Sequence, residues 1–169
     1  MKLHILESGY TVVTDLGRVS GPAYGLPVNG ALDQYSARTA NALVGNRANA
    51  PLLEVTAFDI SFSPSCEILI AVTGAVASVT VDGFECDQWQ PLVVGAGQVV
   101  RISHLREGLR AYVAVFGSVR APRLLGSCAP DTVLGFGLRL NDGDEIDLVR
   151  QVRSVANPCL GVPFFRIPV

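Results

Sequence analysis

Ten short runs of β-branched and apolar residues, each cut off by Gly, Pro, Asp or Ser, dominate this chain and leave little room for helix. The runs predict strands near 2–7, 10–14, 52–62, 67–73, 77–81, 84–87, 91–94, 98–104, 109–116 and 145–149. Val79-Thr80-Val81-Asp82-Gly83-Phe84-Glu85-Cys86 is a hairpin with a two-residue Asp-Gly turn, whose positive φ angles match strand twist. Asn141-Asp142-Gly143-Asp144 is a second turn. One helix is predicted, from Gln34 to Val44. Asp33 can accept the orphan N–H groups of its first turn, and Gly45 suits its C-terminal cap. Ala37, Ala40 and Val44, with Leu43 beside them, form an apolar stripe, whereas Ser36, Arg38 and Thr39 fall off it, toward water or a loop. Many short strands with one short helix imply an all-β fold, a closed or nearly closed β-barrel.

A chain of 169 residues suits a single domain, 1–169. A net charge of -2 gives no footprint for nucleic acid. Charged residues make up 17%, against roughly 25% in a typical soluble domain, so some apolar surface is expected to meet a partner. The longest apolar stretch, Ile68 to Val81, is too short and too interrupted for a membrane span. The N-terminus lacks a signal-peptide pattern, and the expected location is cytoplasmic. Four cysteines (66, 86, 128, 159) form no C-x-x-C pair and read as buried free thiols, with no metal site. His4 and His104 lie in strand-like runs and read as packed or edge-strand residues. Lys2 is the only lysine, so the chain has neither a biotin-carrying hairpin lysine nor a P-loop.

Chemistry gathers in the first third. In Asn29-Gly30-Ala31-Leu32-Asp33, the Asn amide and the Gly30 N–H form a candidate oxyanion-stabilising pair. Asp33 is either a base or the helix cap, and both roles are open to it. In Asp15-Leu16-Gly17-Arg18, the guanidinium could hold a carboxylate or carbonyl oxygen with Asp15 orienting it, or the two could form a structural ion pair. Glu54, between Leu53 and Val55, is expensive to bury unpaired and calls for Arg18 or Arg110. Arg110 and Tyr112 share one strand face and could line a pocket mouth. Asn41 is placed to bond a neighbouring loop. Gly74 interrupts an apolar strand and marks a bulge or close backbone contact. Gly126-Ser127 has no partnered histidine and is not read as a nucleophile, and Pro122 to Pro130 is the candidate flexible joint.

Thr11 to Arg18, Gly25 to Asp33 and Ala40 to Asn46 together resemble the opening of one family. It contains allophanate hydrolase subunit 2, the urea amidolyase carboxyltransferase domain and the C subunit of 5-oxoprolinase. The likeness continues through Leu53-Glu54-Val55-Thr56, Ile70 to Ala75, Gly108 to Tyr112, Leu125-Gly126-Ser127 and Leu140 to Asp144. It implies a cyclophilin-like barrel matching the N-terminal half of the family, with a second half expected but absent from this chain. It further implies a component of an ATP-dependent 5-oxoprolinase, acting on a lactam with partners that resemble that enzyme's A and B subunits. ATP would be held elsewhere in the complex. On that reading Asn29 and Gly30 steady the oxyanion, Asp33 handles a proton and Arg18 holds the substrate carboxylate. The alternatives it implies are a biotin-dependent carboxyltransferase acting on urea, with biotin on another chain, and a non-enzymatic regulatory binding module. The chain departs from the family pattern at Thr14 (usually Gln), Asn29 (usually Ser), Phe58-Asp59, Ser118 and Cys128-Ala129-Pro130.

Overall fold

The computed structural model describes residues 1–149. In chain order the elements are β1 (Lys2–Glu7), β2 (Thr11–Thr14), one turn of 3-10 helix (Gly21–Tyr24), α1 (Gln34–Leu43), β3 (Leu52–Thr56), β4 (Ile60–Pro64), β5 (Ile68–Val81), β6 (Phe84–Cys86), β7 (Pro91–Val94), β8 (Val100–Val115), β9 (Leu138–Arg139) and β10 (Glu145–Asp147). All ten strands belong to one sheet, ordered β10-β1-β4-β8-β3-β2-β9, with β5 on β8 and both β6 and β7 on β5. Among the described residues no ladder joins the end strands, so the barrel is curled but open.

Two expected pairs of strands are single long ones. The segments expected at 67–73 and 77–81 are β5, and those at 98–104 and 109–116 are β8, which pair from Val81↔Val100 to Ile70↔Val115. Gly74, which the sequence marks as a break, bends β5 without ending it. Its φ is +93° and a Cβ there would meet Arg110 O at 2.4 Å, so the strands close up only because none is present. Conversely, the expected 52–62 run is two strands, because Ala57 turns at φ +62° between them. The other edge of β8 takes β4 near Ile102 and β3 near Val113.

Residues 111–115 of β8 are buried on both faces, which is why they read as continuous apolar sequence. Val113 and Val115 enter the main core with Leu3, Val55, Phe62 and Ile70. Tyr112 and Ala114 face the other way, under Ala37 and Ala40 of α1 and its C-cap residue Val44. Each fully buried Val or Ile contributes roughly 1.5–3 kcal/mol of transfer free energy. The predicted stripe of α1 is therefore its packed face, and Leu43 is half-buried beside it. Ser36 departs from expectation: it is buried, and its carbonyl accepts Thr73 Oγ1 at 2.8 Å. The helix ends on Gly45 at φ +78°, with Gly45 N donating to Ala42 O and Asn46 N to Asn41 O, a Schellman closure. Asn41 Nδ2 bonds Ala50 O at 2.9 Å, the loop contact expected of it.

The Asp-Gly hairpin pairs Val79 with Cys86 and Val81 with Phe84, as predicted. Val81 is buried, while Phe84 at the tip is exposed. His4 is half-buried on β1, 3.0 Å from Glu145, and His104 is exposed on β8. β1 lies between β10 and β4, so it is not an edge strand. No helix among the described residues is long and apolar enough to cross a membrane.

The cysteines are not uniformly buried. Cys66 and Cys86 are half-buried, Cys128 is buried, and Cys159 lies outside the described residues. Burial first, then the Asp15 carboxylate, pushes the Cys128 thiol from its ordinary 9.0 up to about 12. Native protein alkylated at pH 8 and mapped by mass spectrometry is expected to carry label on Cys66 and Cys86 and none on Cys128. Because the folded value is the higher one, Cys128 supports stability fully below pH 9, and that support is lost as pH rises toward about 12.

Candidate functional site

Two backbone segments meet at one end of the barrel. Ala31 N donates to Asp15 O and Arg18 N to Val28 O, each at 2.8 Å, which lays 28–31 against 15–18. Gly17 (φ +100°) and Gly30 (φ +98°) sit where the chains touch, and a Cβ on Gly30 would lie 2.5 Å from Gly17 N. The glycines of both motifs thus serve close packing. Gly30→Ala is expected to destabilise by at least about 1–3 kcal/mol from its left-handed backbone alone, measured by urea unfolding. An unchanged midpoint would contradict this packing role.

Asp15 and Arg18 do not form a pair. Asp15 is buried and accepts Gly17 N at 2.9 Å, Ser127 Oγ at 2.5 Å and Cys128 N at 2.9 Å. These bonds pin residues 127–129, all buried, so this part of the expected flexible joint is fixed. Arg18 is also buried; it bonds Ala129 O and pairs with Asp131 Oδ2 at 3.2 Å. Neither side chain reaches solvent, which corrects the role expected for Arg18 as holder of a substrate carboxylate and for Asp15 as its orienter. They build the wall of the site instead.

Asp131, which sequence reasoning passed over, is the hub of that wall. Its Oδ1 accepts Val133 N and Leu134 N at 3.1 Å each, an Asx turn, and its Oδ2 accepts Arg18 and, at 3.2 Å, Asn29 Nδ2. The signal was Pro130-Asp131-Thr132, a turn tripeptide. Asn29 stands at φ +52°, tolerable for Asn, and also donates to Pro130 O at 2.9 Å. Its amide donors face the wall, not the cavity, so Asn29 positions this loop and is not the oxyanion donor expected.

On the facing strands, Glu54 of β3 pairs with Arg110 of β8, one of the two partners anticipated: Arg110 Nε stands 3.1 Å from Oε1. Glu54 Oε2 accepts Tyr112 OH at 2.9 Å and Leu32 N at 3.1 Å. Tyr112 is fully buried and lies behind the pocket, not at its mouth; its oxygen accepts Asp33 N at 2.8 Å. Burial chiefly, with the Glu54 carboxylate assisting, drives the phenol well above its usual range, so it stays a neutral donor. Asp33 takes the capping role: its oxygens accept Ser36 N at 3.0 Å and Ser36 Oγ at 2.5 Å. It does not line the cavity, and the cap is the role its bonds show.

Between these walls lies a cavity of about 520 Å³. Asn29, Gly30, Glu54 and Arg110 line it, with Thr14, Asp131 and Val133 beside them. Asp15, Arg18, Asp33 and Tyr112 stand outside the lining. Glu54 and Asp131 already accept several hydrogen bonds each. Unspent donors remain on Arg110, whose side chain is 26% exposed and uses only Nε, and on the Gly30 N–H, which donates to no described residue. Free guanidinium N–H groups suit a carboxylate, and an unbonded backbone N–H suits a carbonyl oxygen.

The family model "Carboxyltransferase domain, subdomain A and B" matches residues 24–163. The chain is 38% identical to urea amidolyase of Saccharomyces cerevisiae over 170 residues, covering 96% of this chain and 9% of that protein. It is 35% identical to the 5-oxoprolinase C subunit of Escherichia coli over 157 residues, covering 90% of this chain and 51% of that protein. Among solved structures, TTHA0988 superposes with a TM-score of 0.86 at 34% identity, covering 99% of this chain and 33% of that one. The urea amidolyase of K. lactis superposes at 0.82 and 31% identity, covering 97% and 10%. The chain belongs to this carboxyltransferase-domain family, and its curled barrel with one helix is the cyclophilin-like fold of these neighbours. It spans 51% of the E. coli relative's length and 9% of the yeast relative's.

Proposed function

We propose that this chain is the C-type component of an ATP-dependent 5-oxoprolinase, and that its cavity receives 5-oxoproline. The supporting observation is that two groups with unspent donors line the same small cavity: the partly exposed Arg110, paired through Nε with Glu54, and Gly30, whose N–H donates to no described residue. Arg110 takes the substrate carboxylate through its free N–H groups, a bidentate match of planar groups. Gly30 donates to the lactam oxygen, where negative charge grows as the ring carbonyl is attacked. The net change is addition of one water across the lactam C–N bond, giving glutamate, coupled to hydrolysis of ATP by a second water to ADP and phosphate. Glu54, Tyr112 and Asp131 act as positioning residues, since their polar atoms are already engaged. ATP is held elsewhere in the complex, since this chain carries no P-loop. Partners of the A and B types complete the assembly.

A second reading, the carboxyltransferase part of a urea carboxylase, is favoured by the 38% identity to the yeast urea amidolyase. Biotin would then arrive on another chain, since Lys2, the one lysine here, is paired with Glu145. The test is to capture the native assembly on this chain and follow ATP-dependent glutamate release from 5-oxoproline, with and without avidin. Avidin-insensitive release supports the first reading. Avidin-sensitive carboxylation of urea without glutamate release overturns it.

A further inference from the structure

A second cavity, of about 430 Å³, shares no residue with the first. Arg47, Arg120 and Arg123 line it, with Asn49, Pro51 and Ser118, and no carboxylate among the described residues does. This is an unusual gathering in a chain of net charge -2. We propose that this cavity is a binding site for a phosphate-bearing small molecule carrying at least two negative charges.

The charge balance sets the class of ligand. Arg123 donates to Gly126 O at 2.7 Å and stands 3.7 Å from Asp15 Oδ2. Asp15 is fully buried and satisfied by three other donors, so it offsets one guanidinium at most. Arg47 and Arg120 make no side-chain hydrogen bond or ion pair with any described residue. Two positive charges are thus left at the cavity without a carboxylate among the described residues. A monocarboxylate would answer only one of them. A phosphate group presents three acceptor oxygens on a tetrahedron, which suits guanidinia arriving from separate chain segments better than a planar carboxylate does.

The walls are fixed before any ligand arrives. Asn46 ties the loop beside Arg47 to the barrel, donating to Val115 O at 2.8 Å and accepting Gly117 N at 2.9 Å. Ser118, held at φ +88°, donates through Oγ to Pro51 O at 2.9 Å, and its carbonyl accepts Val149 N at 2.9 Å. Asn49 Oδ1 accepts Leu16 N at 2.8 Å, which leaves its Nδ2 as a further donor. A rigid, cationic concavity loses little entropy on binding and concentrates anions near it.

The test is calorimetric titration of the full chain with inorganic pyrophosphate, in parallel with malonate. Pyrophosphate is expected to bind one to one, more tightly than malonate. The Arg47→Ala/Arg120→Ala double variant should weaken it about tenfold or more at unchanged thermal stability. Arg101→Ala removes an exposed arginine held elsewhere by Glu7 and Asp59, and should leave binding unchanged. Four results would each overturn the proposal: no pyrophosphate binding, equal affinity for malonate, no effect of the double variant, or the same loss on Arg101→Ala.

Discussion

Asp131→Ala is expected to destabilise the protein by about 3–5 kcal/mol, the range for breaking one side of a buried ion pair. The reason is local and specific. Arg18 is buried, and Asp131 is the only carboxylate it pairs with among the described residues. Removing Asp131 strands that charge, and also frees Val133 N, Leu134 N and one donor of Asn29. Urea unfolding would show the loss as a lower midpoint. Replacing both partners, Arg18→Met with Asp131→Leu, should recover part of it, since no buried charge is then left unpaired. A loss below about 1 kcal/mol for Asp131→Ala would mean that the wall does not depend on this pair.

Arg110→Ala is expected to lower kcat/KM of the native assembly toward 5-oxoproline by about a hundredfold. Two losses combine. The substrate carboxylate loses its fork, and Glu54 loses its charge partner while still bonded to Tyr112 OH and Leu32 N. Arg110→Lys should restore little, because an ammonium cannot pair with Glu54 and grip a second carboxylate in one plane. If Arg110→Ala assemblies kept full kcat/KM, the cavity would not be where the substrate sits.

Much of this was legible from local pattern. The Asp-Gly hairpin, the Asp33 cap, the Gly45 stop and the Gly74 bend follow from backbone requirements that a few neighbouring residues state outright. The Glu54–Arg110 pair was within reach because a strand glutamate flanked by apolar residues demands a cation, and few were available. What failed depends on burial and on distant partners. Arg18 reads as a ligand-holding fork until Ala129 and Asp131, more than 110 residues away, are seen to enclose it. Asp131 itself follows directly on a stretch that reads as a loose joint, and only the Asp15 bonds to Ser127 and Cys128 show that stretch to be clamped. β5 and β8 read as four strands because their glycines and charged residues interrupt the apolar pattern while the ladder between them continues. Strand β9, two residues long, is too short to leave a periodicity at all.

The function proposed for the first cavity rests on Arg110 recognising a carboxylate there. Binding of 5-oxoproline and of 2-pyrrolidinone, the same lactam without its carboxylate, should therefore be compared on native and Arg110→Ala assemblies. The native assembly should prefer 5-oxoproline by about 10- to 100-fold, as a charge-assisted pair predicts, and Arg110→Ala should erase that preference. A preference that survives Arg110→Ala intact would place the carboxylate on some other residue and refute this role for Arg110.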